Sequence, residues 1–338
     1  MTPVRNPGRV ATRAILCVIA SLFTGTAPAQ SQQRGDASVR IEYQYIATGS
    51  FFDALYELDY ASTDSHAAIL SGNYAVADRW TVYASLPYIQ KRHQWRPGDP
   101  FKGDPHNPND PFWVDFKPPD LRFIDDGSYH GGFQDLSFGV QYLALDGPVS
   151  ISPYIGYGWP TTNYPIYGKA AIGLNLWNIP VGANFSILPY FSDWYLQGSF
   201  AYVFSEKPLD VNVDYMLGYL STGYYFTASF SMNVFATMKY VFKGLRMPYD
   251  FTDDPTYGNY PEAFDTPYWW QHDRLVGHRF ANMGVGFDWY LNEKYQLSGT
   301  WFTGIWAKQS NEVDRAFTLA LTRYWGNAEN TEHIEFRN

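Results

Sequence analysis

Apolar and polar residues alternate with a period of two in about a dozen stretches of this chain, most of them ending in aromatic residues. The stretch 226–240 shows the pattern at full length. Phe226, Ala228, Phe230, Met232, Val234, Ala236, Met238 and Tyr240 share one face. Thr227, Ser229, Ser231, Asn233, Thr237 and Lys239 share the other, and Phe235 alone breaks the alternation. Strands of ordinary sandwiches are shorter and less regular. Long strands with one greasy and one wet face suit a wall between lipid and a hydrated lumen.

The same pattern predicts strands over 37–47, 63–76, 80–92, 133–144, 149–159, 173–187, 194–205, 210–220, 226–240, 278–290, 295–309 and 314–325. Pro180 interrupts the sixth, because proline cannot donate to a ladder. The outward faces read Val39, Ile41 and Tyr43 in the first strand, Phe138 and Val140 in the fourth, and Val285 and Phe287 in the tenth. Ser137, Ser229, Asn233 and Asp288 fall on the inward side. Short connections are expected at 77–79, 145–148, 188–193, 221–224 and 291–294, and long ones at 93–132 and 242–277. Asp146-Gly147 in the second of these is a strong hairpin signal. If the N-terminus is periplasmic, every short turn falls on the periplasmic side and both long loops on the outer side. The expected fold is therefore all-β: a transmembrane, antiparallel, up-and-down β-barrel of about twelve strands with long extracellular loops.

The ends of the chain fit an exported protein. Arg5, Arg9 and Arg13 precede an apolar stretch, Ala14 to Phe23, and Ala27-Pro28-Ala29 offers small residues for cleavage. About ten apolar residues cannot cross roughly 30 Å of hydrocarbon as a helix. The organisation read from this is a signal peptide over 1–29, a short periplasmic segment over 30–36, the barrel over 37–325 and a polar tail over 326–338. The only cysteine, Cys17, lies in the signal, so the mature chain has no thiol chemistry. Aromatics make up 19% of the chain, with 28 Tyr and 12 Trp, enough to build two interfacial girdles. Losing three Arg and no acid takes the formal charge from −9 to −12, which argues against nucleic acid as partner.

Candidate chemistry is sparse. Arg40, Glu42, Lys91, Asp135, Asp214, Lys239 and Asp288 are the inward-facing charges, and they would either pair for stability or line a hydrated path. The long loops combine acids with aromatics. Trp95, Trp113, Tyr260, Trp269 and Trp270 are candidates for a vestibule that receives an apolar or aromatic small molecule; a packed lid without ligand is the competing view. No EF-hand spacing and no Gly-x-Ser-x-Gly occurs. His66 reads as a rim residue rather than a catalytic one. No catalytic residue, metal ligand or cofactor site is assigned, and the chain is read as not an enzyme.

Asp78-Arg79-Trp80 to Leu86-Pro87-Tyr88, the run Gly132-Phe133-Gln134-Asp135-Leu136-Ser137-Phe138-Gly139-Val140-Gln141-Tyr142 and the stretch Asn163 to Ala171 carry a resemblance. The chain resembles the outer-membrane transporters associated with the meta-pathway of phenol degradation, over about residues 60–325. That resemblance implies passive, channel-type uptake of small hydrophobic or aromatic compounds across the bacterial outer membrane. The partners expected are outer-membrane lipid, lipopolysaccharide and such a solute. The alternative is a structural or interaction barrel with a closed lumen, and a lipid-modifying enzyme is a distant third.

Overall fold

The computed structural model describes residues 33–52, 57–58, 61–95, 124–246 and 271–326. The expected signal peptide, most of the polar tail and most of both long loops lie outside the described residues.

Period-two alternation becomes a single antiparallel sheet. In chain order the strands are β1 (Ala37–Phe52), β2 (Ala61–Ala77), β3 (Trp80–Trp95) and β4, built from two segments, His130–Phe133 and Asp135–Tyr142. There follow β5 (Val149–Pro160), β6 (Asn178–Ile187), β7 (Trp194–Ser205), β8 (Tyr215–Thr227) and β9 (Phe230–Val241). A four-residue helix, α1 (His272–Leu275), precedes β10 (Arg279–Asn292), β11 (Tyr295–Lys308) and β12 (Ser310–Trp325). Each strand pairs with its neighbours in sequence, and β12 returns to β1 with partners running from Ala37↔Trp325 to Phe52↔Ser310. This is a closed twelve-strand barrel. Closure matters because an open sheet edge in lipid would leave backbone groups without partners.

The outer face carries an apolar band with a member on every strand. Ile41, Leu70, Val82, Phe138, Ile155, Val181, Phe200, Leu220, Val234, Val285, Trp301 and Leu319 are all exposed in succession around the wall. Aromatic pairs flank the band at the short-turn end, where Trp80 meets Tyr142 at 4.7 Å and Trp194 meets Tyr224 at 5.2 Å between ring centres. At the long-loop end Tyr88 meets Phe133 at 5.3 Å. Large exposed hydrophobics in a continuous belt need an apolar solvent, and a bilayer with its two interfaces supplies one.

Several boundaries differ from the sequence reading, among them the ends of β1 at Phe52 and of β3 at Trp95 and the start of β12 at Ser310. The turn expected at 221–224 lies within β8, and the chain reverses instead at Ala228-Ser229. That tight turn contains no Gly, Pro or Asn; the Thr227 hydroxyl accepts the Ser229 amide at 3.2 Å. A two-residue turn alone would pair Thr227 with Phe230 and set odd against even residues; the bulge at Phe226 restores the phase, so even-numbered residues stay outward on both sides and the alternation shows no break. Ser229 is consequently a turn residue and not part of the lumen wall. Residues 210–214 precede β8, and 173–177 precede β6, so Pro180 stands near the start of its strand rather than in the middle. In β4 one residue is inserted: Tyr88 pairs with Phe133 but Ser85 pairs with Ser137. This bulge turns both Gln134 and Asp135 inward, where both are buried.

The register can be checked by paired substitutions in β9. Val234→Arg should destabilise the barrel by about 2–4 kcal/mol, while Asn233→Arg, on the lumen side, should be tolerated. Urea unfolding in lipid vesicles, read by heat-modifiable gel mobility, measures both; equal damage from the two would refute the register.

Candidate functional site

Inward-facing side chains stack in three tiers. Nearest the short turns is a polar tier. Arg40 and Glu42, two residues apart on one face of β1, form an ion pair in which Nε and Nη2 donate to Oε2 at 3.0 and 2.8 Å. Beside them, linked through Ser298, the Asp288 carboxylate accepts hydrogen bonds from Gln296 Nε2 at 2.6 Å and Ser298 Oγ at 2.7 Å. The Tyr324 hydroxyl donates to Gln296.

Above it lies an apolar tier that the alternation does not announce. Ile46, Val203, Leu217, Phe235, Phe280, Phe302 and Val313 form one cluster facing the lumen, with Tyr154, Tyr215 and Tyr219 packed against it. Phe235, the residue that broke the pattern, is therefore part of a layer. Its ring meets Phe302 edge-on at 6.1 Å across Gly284, where a Cβ would lie 2.7 Å from Phe235 Cζ and 2.5 Å from Phe302 Cβ. A second inward ring, Tyr83, lies over Gly139 and Gly156, which pair with each other across β4 and β5.

The third tier, toward the long loops, is filled by residues 161–177, the connection between β5 and β6. Its Tyr164 and Ile172 pack on Ala67, Ile69 and Ile89 of the wall, and its Leu176 packs on Val213 and Val241. Polar groups of the wall fasten it. Lys91 Nζ donates to the Ala171 carbonyl at 3.0 Å, Gln134 Nε2 to that of Ile172 at 2.7 Å, and the Tyr164 hydroxyl to Asp135 at 2.6 Å. Asp125 accepts the backbone amides of Lys169 and Ala170 at 2.8 and 2.7 Å. The Lys169 ammonium reaches across to Asp273 in α1 at 2.6 Å, and Arg274 donates to the Asn175 carbonyl at 3.2 Å. Burial raises the Asp273 carboxyl, but the Lys169 ammonium beside it overrides that and holds it well below the usual carboxylate range.

The sequence candidates separate accordingly. Arg40, Glu42 and Asp288 lie in the polar tier and Asp135 and Lys91 in the plugged tier. Lys239 faces the lumen from β9, its Nζ 4.2 Å from the centre of the Tyr215 ring. Asp214 is not in the lumen. It precedes β8 at the rim, where its carboxylate accepts the Ser205 amide at 2.9 Å and the hydroxyl of Tyr202, a residue of the outward face. The error follows from the strand having been started five residues early. Trp95 ends β3 opposite Ala61, and Trp113, Tyr260, Trp269 and Trp270 lie outside the described residues. His66 stands on the outer face among Tyr43 and Tyr129, hydrogen-bonded to both hydroxyls at 2.8 and 3.2 Å. Missed altogether were the in-folded loop and the apolar tier. The signal for the latter was present: inward Phe235 sits across the ladder from a glycine, Gly284.

No family model matches the chain, and no curated protein matches it. Solved structures do. An outer membrane channel from Pseudomonas putida F1 superposes with a TM-score of 0.62 at 13% identity, covering 89% of this chain and all of that one. The translocator domain of the autotransporter NalP from Neisseria meningitidis gives 0.46 at 9% identity over 87% and 90% of the two chains. The monoaromatic hydrocarbon channel CymD gives 0.40 at 11% identity over 88% and 90%. At these identities the likeness is one of fold: an outer-membrane β-barrel.

Lys169→Met tests the fastening of the loop. It leaves the Asp273 carboxylate buried without its cation, a loss of about 3–5 kcal/mol for a pair of this kind. Limited proteolysis of the refolded barrel should then cut within 161–177, which resists in the wild type. The sign of the pH dependence follows from the depressed carboxyl. The contribution of the pair is complete above about pH 4 and is lost only as pH falls through the lower folded value.

Proposed function

We propose that the barrel is an outer-membrane channel for passive uptake of small hydrophobic or aromatic compounds. One observation carries the reading: the apolar tier of Leu217, Phe235, Phe280 and Phe302, with its attendant tyrosines, lies on the lumen side of the wall. Such a layer gives a small hydrated ion no replacement for its lost water, whereas an apolar ring gains contact area and stacking. The resemblance to transporters of the phenol meta-pathway supports the same solute class. A second reading also has an observation behind it. The buried, fastened loop 161–177 suits a structural barrel with a closed lumen, its loops turned to lipopolysaccharide or a partner. On the channel reading that loop is the part that must move.

Uptake of labelled toluene at low external concentration separates the two. Cells lacking the gene should take it up more slowly than the wild type, and cells carrying Phe235→Asp should resemble the knockout. Equal rates in all three, together with no conductance of the purified protein in planar bilayers, would favour the closed barrel.

A further inference from the structure

The other lumen charges named above each have a polar partner: Glu42 for Arg40, Tyr164 for Asp135, Gln296 and Ser298 for Asp288, the Ala171 carbonyl for Lys91, and Asp273 for Lys169. Lys239 does not. Among the described residues its ammonium makes no hydrogen bond and no ion pair, and its one partner is the face of the Tyr215 ring. The Tyr215 hydroxyl is likewise without a hydrogen bond among them. Both side chains are partly accessible although they stand deep in the barrel, so both border the free space of the lumen. Asp135, whose field reaches Tyr215, is already engaged by the Tyr164 hydroxyl.

An ammonium held in a low-dielectric wall with only a ring for company is costly unless something else completes it. Its surroundings specify what that something is. On the ladder Lys239 stands directly between Leu217 and Phe280, both 1% exposed and both members of the apolar tier. A donor pair at the edge of an apolar, aromatic layer matches a ligand with an anionic head and an apolar ring.

We propose that Lys239 and Tyr215 form a binding site for a small aromatic carboxylate, with Lys239 meeting the anionic group and the partly accessible rings of Tyr154, Tyr215 and Tyr219, at the edge of the apolar tier, receiving the ring. The inference deepens the channel reading and rests on it for transport, though not for binding. Charge-assisted hydrogen bonding would make such a site selective for the anion over a neutral molecule of the same shape.

Calorimetric titration of the purified barrel with benzoate, benzamide and acetate at neutral pH tests it. Benzamide has the ring without the charge, and acetate the charge without the ring. The wild type should bind benzoate about tenfold or more tightly than either control. Lys239→Met should abolish the preference over benzamide, Lys239→Arg should keep most of it, and Tyr215→Phe should reduce it. Heat-modifiable mobility confirms that each variant is folded. The proposal is overturned if the wild type binds no benzoate, if acetate binds as tightly, or if folded Lys239→Met binds benzoate like the wild type. It is also overturned if benzoate and benzamide weaken together, which would mean that the variant only deforms the pocket. Reversal potentials across planar bilayers in a potassium benzoate gradient then isolate the channel reading. Lys239-dependent binding without benzoate current keeps the site and removes the channel. Benzoate current indifferent to Lys239 keeps the channel and removes the site.

Discussion

Closure of the hydrogen-bonded ladder between β1 and β12 governs the rest of this molecule. In hydrocarbon a strand edge has no water to satisfy it, so the sheet must meet itself, and the Ala37–Phe52 strand pairs with β12 from end to end and with β2 from Ala37 to Thr48. Once the ring is closed, each residue has only two options, lipid or lumen, and they alternate without exception along a regular strand. A bulge is the one local device that changes the assignment. The bulge in β4 does this at Gln134 and Asp135, and both side chains it re-aims hold the in-folded loop.

A ring of twelve strands leaves a limited interior, and the inward aromatics show how it is shared. Large rings lie against glycines on nearby strands: Tyr83 over Gly139 and Gly156, Tyr195 over Gly223, and Phe235 beside Gly284. Each glycine surrenders its side-chain volume to a neighbour's ring, so the rings lie along the wall instead of meeting at the axis. Glycine costs strand stability in isolation, and the packed ring above it offsets that loss. The apolar tier and the tyrosines around it thus depend on small residues placed at fixed rungs of the ladder.

How much of this was legible in the sequence depends on what carries the information. Strands between lipid and lumen print their alternation directly, so β7 is found to the residue and the outward faces of β4, β9 and β10 are read correctly. The turn at Ala228-Ser229 is invisible to the same reading, because the bulge at Phe226 preserves the phase and the turn holds no Gly, Pro, Asn or Asp. The start of β6 was set too early because Ile172, Leu174 and Leu176 alternate like a strand while packing inside the barrel. Alternation records that one side is apolar, not whether that side is lipid or another part of the same chain. The site suffers most from this. Charged lumen residues are conspicuous and were mostly placed, but Phe235 looked like a defect until its cross-strand neighbours Gly284 and Ser221 were known.

The three tiers also impose different conditions on anything that crosses. At the short-turn end the charges are neutralised in place, Arg40 by Glu42 and Asp288 by two donors, so that tier presents little uncompensated field. At the long-loop end the obstruction is covalently part of the wall and is held mainly by directional contacts to its backbone, from Lys91, Gln134 and Asp125. Contacts of that kind are lost together when a segment moves by more than a hydrogen-bond length, whereas apolar packing yields gradually. The loop is thus built to be either seated or released, with few states between. Between these two ends the apolar tier offers area without direction, and Lys239 adds to it an ammonium whose contact is the Tyr215 ring. On the channel reading, selectivity resides in the middle tier, and access to it is decided by the loop above.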